Sequence, residues 1–257
     1  MLLLLPGLVL AQETLSCQQF KRLRYDEDHR GSEPATASRF KQLKLAGHDL
    51  AIGGEWRTAF EYSRSPAFGQ DAEDRHGAVL QRFTVHGDWR GEHARLFAQA
   101  YSALAWGRAD GPSPVDENRL TWQNLFAELQ MPVAVAPARL RAGRQELSFG
   151  SGRLIDVREG TNVRRTFHAI RLDFLRSDGL LTLLLARPLR PMPGSADDEA
   201  DDDRLLSGFL ATGMAAGPVG ALDVYYLHSS DKAPMHVDAR LGQERRRGHA
   251  LLPELHD

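Results

Sequence analysis

The connections in this chain alternate in length, and that regularity limits its fold more than any single motif does. Nine stretches read as strands: Leu50 to Tyr62, Val79 to Trp89, Ala94 to Trp106, Leu120 to Met131, Arg139 to Leu147, Phe167 to Leu175, Leu180 to Arg187, Leu205 to Met214 and Ala221 to His228. A long connection (Ser63 to Ala78) is followed by a tight one at Gly91-Glu92. The long Gly107 to Arg119 is followed by Pro132 to Pro137, and the long segment after Leu147 by Arg176 to Gly179. The long Pro188 to Arg204 is followed by Ala215 to Gly220. Short turns on one side and long loops on the other are the rule for barrels that cross a bilayer strand by strand. A soluble meander has no reason to obey it.

The strands themselves carry the matching period. Leu50, Ile52, Gly54, Trp56, Thr58, Phe60 and Tyr62 fall on one face; Ala51, Gly53, Glu55, Arg57, Ala59 and Glu61 fall on the other. Alternation with a period of two marks a strand, and a tilted membrane-crossing strand needs only about 9–11 residues. The second stretch sets Phe83, Val85 and Trp89 against Arg82, His86 and Asp88. The third sets Leu96, Ala98, Ala100 and Leu104 against Arg95, Gln99 and Tyr101. LLTLLLA and LSGFLATGMA alternate poorly, which leaves their registers open. Aromatics near strand ends (Trp56, Tyr62, Trp89, Trp106, Trp122, Tyr225, Tyr226) suit interfacial girdles, although large aromatics occur in any strand.

The expected fold is therefore all-β: an antiparallel up-and-down transmembrane β-barrel over residues 48–239, partial, with about nine strands present. Nine is odd where bacterial single-chain barrels are even, so the chain reads as a truncated portion of a longer protein. Residues 1–11 read as an atypical signal peptide, apolar from Leu2 to Leu10 but without a basic start. Residues 12–47 read as a polar segment before the barrel, a short helix or an extended plug. Residues 240–257 read as a non-strand tail, out of frame.

Charge is sorted locally. The net charge is −2, which gives no global attraction to nucleic acid. The chain has 28 arginines against four lysines, a bias that GC-rich coding explains in the main. Coding bias does not explain why seven arginines fall within Arg139 to Arg165: Arg139, Arg141, Arg144, Arg153, Arg158, Arg164 and Arg165, against Glu146, Asp156 and Glu159. Arginine holds a carboxylate by two parallel hydrogen bonds, and rings of arginine select anions in pores. With Arg57 these residues form the candidate lining. Glu55, Glu146, Asp156 and Glu159 are the candidate counter-charges; if pairing with them is complete, the same arginines only stiffen the wall. The acidic run Asp197 to Asp203 lacks calcium-loop spacing and reads as a solvated external loop. The histidines show no metal-ligand spacing, Cys17 stands alone, and Gly150-Ser151-Gly152 falls short of a nucleophile elbow. No cofactor, metal or catalytic residue is expected.

The run GRQELSFGSGRLIDVREGTNVRRTF resembles a block of the alginate-export family of bacterial outer-membrane proteins. The likeness extends upstream into FKRLRYDED, GGEWRTAFEY and the segment around LQRFTVHGD. The resemblance implies an outer-membrane export channel for an anionic polysaccharide or another carboxylate solute. Its expected partners are the lipid bilayer and periplasmic export proteins. The alternatives are a soluble secreted carbohydrate-binding β-domain and, less favoured, a barrel-embedded hydrolase.

Overall fold

The computed structural model describes residues 21–30, 39–64, 75–108, 111–133, 136–150, 152–177, 179–215, 220–232, 237–238, 242–243 and 247–256. The proposed signal peptide and Cys17 lie outside them. The strands are β1 (Leu43–Leu45), β2 (His48–Arg64), β3 (Arg75–Arg90), β4 (Ala94–Trp106), β5 (Asn118–Met131), β6 (Ala138–Gln145) and β7 (Phe167–Arg176). They continue with β8 (Gly179–Arg190), β9 (Glu199–Ala200), β10 (Arg204–Ala215), β11 (Ala221–Asp231), β12 (Val237–Asp238), β13 (Gly242–Gln243) and β14 (Arg247–His256). Eleven of these form one continuous antiparallel path, β1-β2-β3-β4-β5-β6-β7-β8-β10-β11-β14, with β9 on β8 and β12 paired to β13 apart. Among the described residues the path does not close: the fold is a partial up-and-down barrel. No helix among them is long and apolar enough to cross a membrane.

All nine expected strands are present. The tail is a correction: in place of a non-strand segment, β14 runs antiparallel to β11 from Ala221↔His256 to Ser230↔Arg247. Its sequence hid this, because Ala250-Leu251-Leu252 does not alternate and Pro253 interrupts it. At a sheet edge a proline's missing N–H need not face the one neighbour.

The sheet is turned inside out relative to a soluble protein. Trp56 and Phe60 are 71% and 72% exposed, and Phe83, Leu96, Trp106, Trp122, Leu125, Ile170 and Leu185 are exposed with them. On the other face Arg82, Arg141 and Glu128 are 1%, 1% and 2% exposed. In water each outward side chain would forgo about 1.5–3 kcal/mol of burial. A hydrocarbon surround removes that deficit and leaves the polar groups inside, the alternation of a membrane barrel.

Two features bend and fill the sheet. The β4–β5 register shifts at Gln99/Ala100 and again at Tyr101/Ala103, so the adjacent Gln123 and Asn124 are both buried; such bulges sharpen local twist. Gly143 in β6 has φ 134°, and a Cβ there would lie 2.4 Å from the Leu125 carbonyl oxygen, so only glycine lets β5 and β6 approach so closely. The concave side is occupied by the segment that joins β6 to β7. Its Leu147 and Ile155 cluster with Phe167, Leu184, Leu210, Tyr225 and Leu227. Its Val157 packs with Leu23, Tyr25, Phe97 and Phe126, and its Val163 with Tyr101 and Ala103. One loop touching the inner faces of β4 and β5 at one end and of β10 and β11 at the other requires a sheet curved around it.

Candidate functional site

The inner wall carries a belt of alternating charge across five strands. From β3 to β6, Arg95 Nε meets Asp88 Oδ1 at 2.7 Å, Arg95 Nη1 lies 3.6 Å from Glu128 Oε1, and Arg141 Nε donates to Glu128 Oε2 at 2.6 Å. From β6 to β7, Asp173 receives Arg139 Nη2 at 2.7 Å and Arg171 Nε at 2.6 Å, and it accepts a further bond from Thr182 at 2.7 Å. These groups share a layer because residues on one face of an antiparallel pair sit opposite one another: Arg141 is in register with Glu128 on one side and Arg171 on the other.

An N-terminal segment is docked on this belt. A single 3-10 turn, Arg24–Asp26, places Tyr25 against Phe97 and Phe126 in edge contacts at 6.0 and 5.3 Å. The Arg141 guanidinium stacks 4.4 Å from both the Tyr25 and the Phe126 ring centroids. The Tyr25 hydroxyl donates to the Glu146 carbonyl at 2.6 Å, while Arg95 and Arg90 donate to the carbonyls of Tyr25 and Glu27 at 2.5 and 2.6 Å. Burial pushes the Tyr25 phenol well above its ordinary range, so it is protonated in use. Asp28, against burial, is pulled down to about 2 by hydrogen bonds from Arg30 and the charge of Arg90.

The arginine-rich loop folds inward, with its tip across the barrel from its origin. Asn162 donates to the carbonyls of Gln81, Leu104 and Asp116 at 3.3, 3.1 and 2.8 Å, and the Tyr101 hydroxyl donates to the Asn162 carbonyl. Arg82 reaches Glu159 Oε1 at 2.8 Å and the Thr161 carbonyl at 2.9 Å. The loop's base is fixed by Glu146, which accepts from Gln123 and Asn124 at 3.0 Å each and faces Arg164 Nε at 2.8 Å.

The eight candidate arginines divide into two groups of four. Arg139 is bound to Asp173, Arg141 to Glu128, Arg144 to Asp198, and Arg164 to Glu146 and Glu159. Arg57, Arg153, Arg158 and Arg165 have no ion pair among the described residues. Arg144 belongs to β6 and not to the adjoining loop, one position out of phase with Arg139 and Arg141. Arg158 sits in the left-handed region at φ 57°, uncommon for a non-glycine residue and a mark of a locally imposed conformation. Half-buried Arg165 is pushed below its ordinary range by burial first, then by Arg158 and Arg204, against the pull of Asp156. Each candidate counter-charge engages a basic group: Glu55 with Arg24, Asp156 with Arg22, and Glu146 and Glu159 as above.

The sequence reading missed Arg95, Glu128, Arg171 and Asp173. Their signal was the polar parity of each strand, but their pairing depends on register between strands. It also misjudged the acidic run. The Asp198 side chain is buried and accepts from Arg144, from Asn118 Nδ2 and Thr121 Oγ1 at 2.7 Å each, and from the Met192 amide at 2.9 Å. Burial would raise its pKa, but those bonds outweigh it and hold it below the carboxylate range. Asp201 binds Arg190 at 2.6 Å, and Asp202 binds Arg187 at 2.7 Å. Most of the run is thus a set of partners for arginines. No group of three or more His, Cys, Asp or Glu among the described residues is arranged to hold a metal ion.

The sequence model of the alginate export family matches residues 48–249, from the start of β2 into β14. No curated protein and no solved structure matches the chain.

Proposed function

The chain belongs to the alginate export family, a family of outer-membrane β-barrels that pass polysaccharide, and from that premise we propose that its arginine-lined lumen conducts an anionic, carboxylate-bearing polymer. The family is one of transporters rather than enzymes. The observation that carries the reading is the division of the arginines. Ion-paired arginines contribute structure and little net field, whereas Arg57, Arg153, Arg158 and Arg165 keep positive charge available to a solute. Rings of such residues are how pores select anions, and several weak contacts in series let a polymer leave as readily as it enters. The lipid bilayer surrounds the outward apolar face, and periplasmic export proteins would deliver the polymer. A soluble carbohydrate-binding domain is disfavoured by the outward-facing tryptophans and leucines.

Replacing Arg158 and Arg165 together by Glu is expected to abolish anion preference in planar bilayers. Neither residue holds a structural carboxylate, so folding should be close to unchanged, as checked by heat-modifiable gel mobility. Arg144→Gln, by contrast, should destabilise the 191–203 segment, because it leaves the Asp198 carboxylate without its arginine. Unaltered selectivity in the Arg158/Arg165 double variant would remove the arginine-lining reading.

A further inference from the structure

The 21–30 segment fills what would otherwise be a gap between the barrel wall and the inward loop. The cluster of Leu23, Tyr25, Phe97, Phe126 and Val157 draws on three sources: the segment, strands β4 and β5, and the loop. Tyr25 is 1% exposed. Phe97 and Phe126 meet its ring edge-on from the wall, and its hydroxyl reaches the loop at the Glu146 carbonyl. Arg22 and Arg24 extend the bridge, Arg22 to Asp156 of the loop and Arg24 to Glu55 of β2. Along the segment Leu23, Tyr25 and Glu27 are buried, while Arg22, Asp26 and Asp28 are exposed, so one face is docked and the other stays wet. The loop has a hold of its own at Asn162 and does not need the segment to stay inside the barrel.

Two observations mark this wedge as removable. Among the described residues it pairs with no strand, and its backbone-to-backbone bonds are those of one turn, from the Asp26 amide to the Leu23 carbonyl at 2.9 Å and from the Glu27 amide to the Arg24 carbonyl at 3.3 Å. The wall beneath it is also largely ionic. Arg95 donates to the Tyr25 carbonyl and Arg141 stacks on the Tyr25 ring, and both arginines pair with Glu128. Buried ion pairs stabilise weakly because they give up hydration, so release returns water to them and offsets part of the lost apolar contact. Arg141 Nη1 is buried without a partner while the wedge is in place, and water entering the gap would supply one. We propose that residues 21–30 are a displaceable plug: docked, they close the space between the β4–β5 wall and the inward loop, and released, they leave a water-filled passage along the charge belt. The inference rests on the channel reading of the lumen, to which it adds a closed and an open state, and it is independent of which solute passes.

Conductance of the full chain in planar bilayers, recorded beside hydrogen exchange of the 21–30 amides, tests this. The unsubstituted protein should show brief openings to a larger level, and that level should admit larger neutral polyethylene glycols. Tyr25→Ala should occupy it on the order of a hundredfold more often, as expected for a lost buried ring. Glu55→Gln, which cuts only the tie to Arg24, should raise the occupancy about fivefold, the scale of a partly solvated ion pair. Tyr25→Phe should stay near the unsubstituted protein. If Tyr25→Ala exchanges faster at Asp26 and Glu27 yet conducts as before, the segment leaves without opening a passage; the plug is then overturned and the channel reading stands. Unaccelerated exchange in both Tyr25→Ala and Glu55→Gln would overturn it from the other side, since the segment then never releases. Absence of conductance in every protein would remove the channel reading itself, and the plug with it.

Discussion

Glu128→Gln is expected to lower the stability of the folded protein by about 3–5 kcal/mol, the usual consequence of stranding buried charge. Glu128 lies between Arg141 and Arg95, and all three are buried on the inner wall. Arg141 has a second attachment, between the rings of Tyr25 and Phe126, but those ring faces are weaker partners than a carboxylate. With Glu128 neutralised, Arg141 keeps its desolvation penalty and loses its nearest counter-charge. The double variant Glu128→Leu/Arg141→Met should recover much of the loss, since no charge is then left alone. Urea unfolding in micelles, followed by tryptophan fluorescence, reads both. A change below about 1 kcal/mol for the single variant would mean that lumen water screens the pair as it does at a surface.

Tyr25→Ala is the second large effect. Tyr25 joins three bodies: the inner wall through Phe97 and Phe126, the charge belt through Arg141, and the inward loop through the Glu146 carbonyl. Removing a buried aromatic ring costs about 3–5 kcal/mol. The 21–30 segment is docked mostly by side chains and by arginines reaching its carbonyls, with no strand pairing of its own, so the loss falls on its docking. At about 1.4 kcal/mol per factor of ten, 3 kcal/mol raises the undocked population on the order of a hundredfold. Hydrogen exchange at Asp26 and Glu27, whose amides bond to the Leu23 and Arg24 carbonyls, should accelerate by that factor. Exchange in Val163 and Arg165, whose amides bond to the Val115 and Val157 carbonyls, should follow, because Val157 packs on Tyr25. Unchanged protection in both segments would show that the arginine contacts suffice to hold them. Tyr25→Phe, which keeps the ring and loses only the Glu146 bond, should show a far smaller effect.

The architecture was legible because it is written in the two coarsest signals a chain carries, alternation within strands and the lengths of connections. Leu50 to Tyr62 could be placed face by face, and the structure keeps that assignment. The inward course of the 146–166 loop was less legible. Its arginines and glycines look like a solvated loop, yet Leu147, Ile155, Val157 and Val163 are aliphatic residues that a solvated loop would not need, and all four are buried. That signal was in the sequence but was masked by the surrounding charge. Pairings were illegible for a different reason. Arg144 and Asp198 stand 54 residues apart, and no local pattern says which acid a given arginine will meet. Register and loop docking decide that, and both arise only when the sheet has formed. The tail failed on local grounds, since a proline and an unbroken aliphatic run are poor strand signals wherever the sheet edge rescues them.

Lipid must cover the outward faces if these strands cross a bilayer, and the tryptophans report on that directly. Of the chain's four, Trp56, Trp106 and Trp122 are exposed on the outward side. In the protein reconstituted into bilayers, brominated phospholipids should quench most of the tryptophan emission, and aqueous iodide should quench little of it. Strong quenching by iodide with none from brominated lipid would place those faces in water or against protein, and would contradict a membrane-embedded barrel.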